Sequence, residues 1–176
     1  MSQHLILGGA RSGKSRYAEE QALLLAQERS LGALWYIATA TAHDGEMQQR
    51  IERHQQHRDD RWQLVEEPLD LAAVVRCYAS ANDCLLVDCL TLWLTNCLLN
   101  ESWHEHKTAL IQALKESKAT IFFVSNEVGS GVVPLGELSR QFVDESGWLH
   151  QELAALSDRV TLVVAGLPLD LKSLTA

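Results

Sequence analysis

Eight residues, Gly8-Gly9-Ala10-Arg11-Ser12-Gly13-Lys14-Ser15, stand between the apolar run Leu5-Ile6-Leu7 and a helical pattern that opens near Lys14. They fit G-x-x-x-x-G-K-[ST] in full, and the strand-before, helix-after setting is the one in which that pattern forms a phosphate cradle. Gly8, Gly9 and Gly13 permit a turn that aims backbone N–H groups inward. The helix N-terminus adds roughly half a positive charge. Lys14 is a mobile cation for the β- and γ-phosphates, and the Ser15 hydroxyl is placed to complete a Mg²⁺ shell. The competing reading is a glycine-rich strand-to-helix turn with a surface lysine; the full motif in its strand-before, helix-after setting favours the cradle.

The rest of the chain has the form such a turn requires. Leu34-Trp35-Tyr36-Ile37, Leu85-Leu86-Val87, Ile121-Phe122-Phe123-Val124 and Leu162-Val163-Val164 join Leu5-Ile6-Leu7 as continuous apolar runs. Unbroken apolarity means strands covered on both faces, as in a parallel sheet. Gln63-Leu64-Val65 is a candidate for a short further strand. Helical spacing appears in Tyr17/Gln21/Leu24 with Ala18/Ala22/Leu25, in Leu90/Trp93/Leu94/Cys97/Leu98, and more weakly in Leu138/Phe142/Leu149/Leu153/Leu156. Alternating strands and helices predict an α/β fold with a mostly parallel sheet and ligands at the strands' carboxyl ends. No linker or repeat divides residues 1–176, so one domain is expected.

Composition limits the partners. A net charge of −8 argues against a nucleic-acid or anionic-membrane surface, whereas a local pocket can still take a small anion. No run approaches the roughly 18 apolar residues of a membrane span, and a cytoplasmic location is expected. Cys77, Cys84, Cys89 and Cys97 have neither redox-pair nor zinc-knuckle spacing, and the last three lie among Leu, Val and Trp as buried thiols would.

Asp88 ends the Leu85-Leu86-Val87 run and would emerge at the same sheet edge as the glycine turn. It can hold Mg²⁺ there, or cap the helix that follows. Glu127, after Phe122-Phe123-Val124, can orient a hydroxyl, bind metal, or simply begin a glycine-rich loop. Gly129 and Gly131 in that loop would serve close backbone approach or positive φ. Arg140 and Asp144 are spaced for an i, i+4 ion pair, and His104 and His106 read as surface residues.

From Glu46 to Arg58 the chain reads as a polar helix with Arg50, His54 and Arg58 on one face, each about 6 Å along the axis from the next. A solvated face explains that pattern. So does chemistry: an imidazole with pKa near 6.5 is largely neutral at pH 7, and two guanidinium groups beside it would meet a phosphate. Covalent nucleotidyl transfer through His54 would follow. His57 lies about 100° round the helix from Arg58.

Taken together, several segments resemble the bifunctional adenosylcobinamide kinase / adenosylcobinamide-phosphate guanylyltransferases of cobalamin biosynthesis. They are residues 8–15, Tyr36-Ile37-Ala38-Thr39, Met47…Arg50-Ile51…His54…Arg58, Trp62…Glu66-Glu67-Pro68 and Asn126-Glu127-Val128-Gly129-Ser130-Gly131-Val132-Val133-Pro134. The resemblance runs nearly end to end. It implies phosphorylation of the aminopropanol hydroxyl of adenosylcobinamide by ATP or GTP, then passage of GMP from GTP through His54 onto adenosylcobinamide phosphate. It further implies nucleotide contacts from the glycine turn, Ala38, Thr39, Ala40, Gln55, Gln56, His57, Arg58, Glu66 and Asp88, with Mg²⁺ at Ser15 and Asp88. A RecA-like P-loop fold and a homotrimer are implied too. Asp88 stands where the family often carries Glu, Asp59 where Pro is frequent, Leu64 where Thr is frequent, and His150-Gln151 where Asn-Gln is usual. A small-metabolite kinase without the guanylyl step and a non-catalytic nucleotide switch are the alternatives from other classes.

Overall fold

The computed structural model describes residues 2–41 and 59–173. The polar helix expected over 46–58 lies outside the described residues. Seven strands form one sheet: β1 Ser2–Gly8, β2 Leu34–Ala38, β3 Trp62–Glu66, β4 Cys84–Asp88, β5 Thr120–Asn126, β6 Arg159–Val164 and β7 Leu167–Lys172. Their spatial order is β3-β2-β4-β5-β1-β6-β7, parallel except for the β6–β7 hairpin. The described helices are α1 Lys14–Arg29, α2 Leu71–Tyr78, α3 Leu90–Leu99, α4 Trp103–Glu116 and α5 Glu137–Leu156.

Alternate residues of each central strand feed opposite faces, which is why the runs are apolar throughout. Leu5, Leu7, Leu85, Val87, Ile121 and Phe123 pack with Trp93, Trp103, Leu110, Leu114, Leu149 and Leu153 of α3, α4 and α5. Ile6, Leu86, Phe122 and Val124 face the other way, against Ala18, Ala22 and Ala26 of α1. After Lys14, the buried stripe of α1 is thus made of alanines. Leu24, expected in that stripe, is exposed, because small side chains let α1 lie close against the sheet.

Two helices and a strand go beyond what the sequence patterns mark. Asp70 caps α2 by accepting from Ala73 N, and α4 buries Trp103, Leu110 and Leu114 at spacings of seven and four. On β7 all six residues are exposed, and the strand follows a two-residue turn, Ala165-Gly166, with φ of 52° and 80°. Positive φ at both positions is what a tight hairpin requires.

Register aligns the strands' carboxyl ends. Gly8 is level with Asn126 and Val163, Asp88 with Val124 and Ala38, and Ala38 with Glu66. That edge gathers every described residue singled out for nucleotide chemistry.

Candidate nucleotide site

The glycine turn is held by its own backbone and by the β6–β7 hairpin. Ser12 N donates to Gly9 O at 3.2 Å, and Gly166 N donates to Ser12 O at 2.8 Å. A Cβ at Gly8 would lie 2.5 Å from Ser12 Oγ and 2.6 Å from the Val163 carbonyl, so only glycine fits. Gly13 sits at φ 93°, the left-handed region, immediately before α1. At Gly9 a Cβ would meet no atom of the described residues within 4 Å. Gly9, Ala10 and Arg11 are exposed, while Ser12, Gly13 and Ser15 are half-buried. Sequence reasoning misses the bracing by Ala165-Gly166; a glycine just after an apolar strand is the available signal.

Lys14 is the first residue of α1 and is buried. Its Nζ donates to Gly9 O at 3.2 Å, so the ammonium lies against the turn itself. One neutral carbonyl does not balance a buried cation.

Asp88 closes β4 half-buried, and its Oδ2 accepts from the Tyr36 hydroxyl at 2.8 Å. It does not cap α3: Cys89 occupies the N-cap position and no side-chain cap bond forms there. That removes the structural alternative for Asp88. Tyr36, which no spacing argument singles out for a role, is the residue that orients this carboxylate.

Thr39 is fully buried. Its Oγ1 donates to Cys89 O at 2.7 Å and accepts from Cys89 N at 2.9 Å, and Asn96 Nδ2 holds the Thr39 carbonyl at 2.9 Å. The threonine therefore latches the end of β2 to the start of α3, with Ala38 and Ala40 half-buried on either side. Glu66 is exposed at the end of β3. Its neighbour Glu67 is spent on local structure, accepting from Leu69 N and Asp70 N.

β5 delivers Asn126 and Glu127 beside the turn. Glu127 N donates to Gly8 O at 3.1 Å. The Glu127 carboxylate accepts from the Ser130 hydroxyl and Gly129 N; these bonds, the Ser130 hydroxyl foremost, hold its pKa below the ordinary value. Of the two uses expected for these glycines, positive φ occurs at neither, and close approach occurs at Gly129 alone. Gly129 is approached by Glu127 Oε1, and a Cβ at Gly131 would meet open space. Behind Asn126, Thr91 Oγ1 accepts from Asn126 N at 2.8 Å, and His150 Nε2 lies 2.8 Å from Ser125 Oγ. Burial lowers the His150 pKa, with Glu127 opposing. Asn126 Oδ1 is buried without a hydrogen-bond partner among the described residues.

The remaining expectations divide. Cys84, Cys89 and Cys97 are buried and free, and burial pushes the thiols of Cys84 and Cys97 up to about 12. Arg140 donates to the Pro134 and Leu135 carbonyls instead of pairing with Asp144, because the loop end offers nearer acceptors. His104 is exposed and His106 half-buried. Arg50, His54, Gln55, Gln56, His57 and Arg58 lie outside the described residues.

A family model described as cobinamide kinase / cobinamide phosphate guanyltransferase matches residues 4–171. The chain belongs to this family. It is 57% identical over 171 residues to the bifunctional adenosylcobalamin biosynthesis protein CobP of Pseudomonas aeruginosa, covering 96% of each chain. To the bifunctional CobU protein of Escherichia coli it is 36% identical over 184 residues, covering 96% of this chain and 98% of the relative. Among solved structures it resembles the flagellar accessory protein FlaH of Methanocaldococcus jannaschii, with TM-score 0.54 and 13% identity over 98% of this chain and 78% of that one. A solved ATPase domain follows at TM-score 0.52 and 12% identity, over 92% of this chain and 68% of that one. At such identities the likeness concerns the fold alone, the expected α/β architecture with a mostly parallel sheet flanked by helices. The family's description makes the chain a nucleotide-dependent transferase. No described helix is long and apolar enough to cross a membrane.

Proposed function

We propose that the chain phosphorylates the aminopropanol hydroxyl of adenosylcobinamide with ATP or GTP and then transfers GMP from GTP, through His54, to give adenosyl-GDP-cobinamide. The observation that carries this reading is a buried Lys14 whose one partner among the described residues is a carbonyl of the glycine turn, on the same sheet edge as Asp88, Asn126 and Glu127. Family membership supplies the acceptor. Residues 1–176 act as one nucleotide-binding domain.

The same cradle serves both transfers. In the first, the hydroxyl oxygen forms a bond to the γ-phosphorus, the bond to the β-phosphate oxygen breaks, and the nucleoside diphosphate leaves as the hydroxyl proton is lost. In the second, a neutral ring nitrogen of His54 bonds to the α-phosphorus of GTP and pyrophosphate leaves. A phosphate oxygen of adenosylcobinamide phosphate then displaces the imidazole, which recovers its proton. Both leaving groups contain the β-phosphate. Lys14 and the N–H groups of Gly9, Ala10, Arg11, Gly13 and Ser15 therefore stabilise the developing charge either way, a contribution of several kcal/mol. Gly8, and Ser12 with its N–H bonded to the Gly9 carbonyl, shape the turn that aims them. Gly9, where no atom of the described residues would crowd a side chain, lets a phosphate approach the backbone.

The residues present suit Mg²⁺. Ser15 and Asp88 offer hard oxygen donors, and Asp88 Oδ1 makes no hydrogen bond among the described residues while Tyr36 fixes Oδ2. When bound there, the ion would supply charge neutralisation on the phosphates. Ala38, Thr39 and Ala40 form one wall for the nucleotide, with the buried Thr39 acting through the latch it makes. Gln55, Gln56, His57, Arg58 and Glu66 contact the nucleotide from the neighbouring segments. The assembly is a cytoplasmic homotrimer, as the resemblance implies, and the net charge of −8 disfavours nucleic acid as a partner.

His54→Asn tests the division of labour. It is expected to abolish acid-labile retention of α-³²P from GTP on the protein, while phosphorylation of adenosylcobinamide stays within about tenfold of wild type. Equal loss of both activities would overturn separate roles.

A further inference from the structure

Cobinamide is far too large to enter a phosphate cradle, so its ring must rest on a surface from which only the aminopropanol arm reaches the γ-phosphate. That arm, counted from the ring, is about as long as three residues of extended chain, roughly 10 Å. Two hollows among the described residues bear on where that ring could rest. One of about 330 Å³, lined by Arg76, Ser80, Glu116 and Lys118 among others, sits where the chain enters β4 and β5, at the wrong edge of the sheet.

The other, of about 420 Å³, is walled by the second half of α3, the first two turns of α5 and the loop between β5 and α5. Leu98, Leu99, Val128, Leu138 and Phe142 line it, and Thr95 and Ser139 supply hydroxyls; no lining residue is charged. It is continuous with the nucleotide edge by two routes. Val128 follows Glu127, whose N–H is bonded to the Gly8 carbonyl, so it lies roughly 8 Å or less from that atom. Thr95 is one helical turn beyond Thr91, which holds Asn126 N. Leu99 and Leu138 are 59% and 52% exposed, and on the adjoining loop Val132, Val133 and Leu135 are still more so, a concentration of apolar surface beside a site otherwise polar.

We propose that this groove seats the corrin ring of adenosylcobinamide and of its phosphate, apolar against the methyl-bearing macrocycle, with Thr95 and Ser139 meeting peripheral amides. The assignment rests on the proposed function above. A neutral, apolar lining with two hydroxyls is suited to an amide-fringed ring and unsuited to a second nucleotide. The Asn126–Glu127 edge then lies between ring and phosphates, where the arm must pass.

Leu138→Asp and, separately, Leu99→Gln test it, both at exposed positions that leave the core intact. The KM for adenosylcobinamide is expected to rise roughly tenfold or more in each variant, with the KM for GTP and GMP self-labelling unchanged. Hydrogen exchange on the wild-type protein, with and without cyanocobinamide, should show protection in 92–99 and 128–143 and none at the Arg76/Lys118 hollow. Unchanged KM in both variants, or protection confined elsewhere, overturns the assignment. So does a shift to a smaller assembly in sedimentation with KM intact, which would make the groove a contact between copies. A wild-type protein that cannot phosphorylate adenosylcobinamide would instead defeat the proposed function itself, so the two failures are distinguishable.

Discussion

The two edges of the sheet both carry acidic groups and use them differently. At the amino edge, Asp158 Oδ2 accepts from Gln3 N and Asp158 N returns a bond to Gln3 O, while Asp83 accepts from Ala33 N and the Ser80 hydroxyl. Those carboxylates are built into the backbone network. At the carboxyl edge the Glu67 and Glu127 carboxylates are likewise tied to nearby N–H groups. Among the described residues, however, the Asp88 carboxylate accepts only from a tyrosine hydroxyl, the Lys14 ammonium meets only one carbonyl, and Asn126 Oδ1 meets nothing. A carboxylate bound to peptide N–H groups stabilises the fold; one held by a single phenol keeps lone pairs for a ligand. Position at a strand end is the same in both cases, so it is the partner that separates structure from chemistry.

Substitutions at the two edges should therefore fail in different ways. The largest effect belongs to Lys14→Ala: rates of both transfers should fall by about 10³-fold in steady-state assays, with the thermal midpoint little changed or raised, since a buried cation is removed. Retention of either rate would break the contrast at its strongest point. Asp88→Asn should lower both rates by about 10²-fold, with addition of excess Mg²⁺ restoring part of the loss. Its counterpart at the other edge, Asp158→Ala, is expected to cost about 1–3 kcal/mol in urea unfolding and to leave kcat per folded molecule unaltered. If the two aspartates behaved alike, hydrogen-bond partners would not distinguish the edges.

The smallest effect concerns pH. His4 stacks on Phe122 at 4.4 Å and is driven down to about 4, by burial first and Arg159 second, from an ordinary 6.5. Between those values the unfolded chain binds the proton and the folded one does not, so stability rises with pH there. The contribution is full above about 6.5 and lost progressively as pH falls towards about 4. Unfolding free energies from urea titrations at pH 7 and pH 4.5 should separate more for wild type than for His4→Asn, by about 1–2 kcal/mol. Equal separation would remove His4 from the amino edge's contribution.

The contrast also explains what can be read from the residues alone. β1, β2, β4, β5 and β6 are legible because burial on both faces leaves an unbroken apolar run. Gly8, Gly13 and Lys14 are legible because a strand, a tight turn and a helix must meet there in one pattern. β7 is not: Leu167, Leu169 and Leu171 alternate with Pro168 and Asp170 but face solvent, so hydrophobicity gives no inward direction. α2 is short, with only the Asp70 cap to mark it. The ties of Asp88 to Tyr36 and of Thr39 to Cys89 join residues 52 and 50 positions apart, which no local spacing encodes. Nor does anything local say that Ala165-Gly166 would brace the glycine turn.

The central claim is that one cradle grips the β- and γ-phosphates while one imidazole takes up the α-phosphorus. Mass spectrometry of the protein after incubation with GTP and Mg²⁺, followed by peptide mapping, tests it directly. The account predicts a single added GMP on His54, lost on exposure to acid and absent from the Lys14→Ala protein. GMP mapped to another residue, or completed guanylyl transfer by a protein lacking that imidazole, would contradict it.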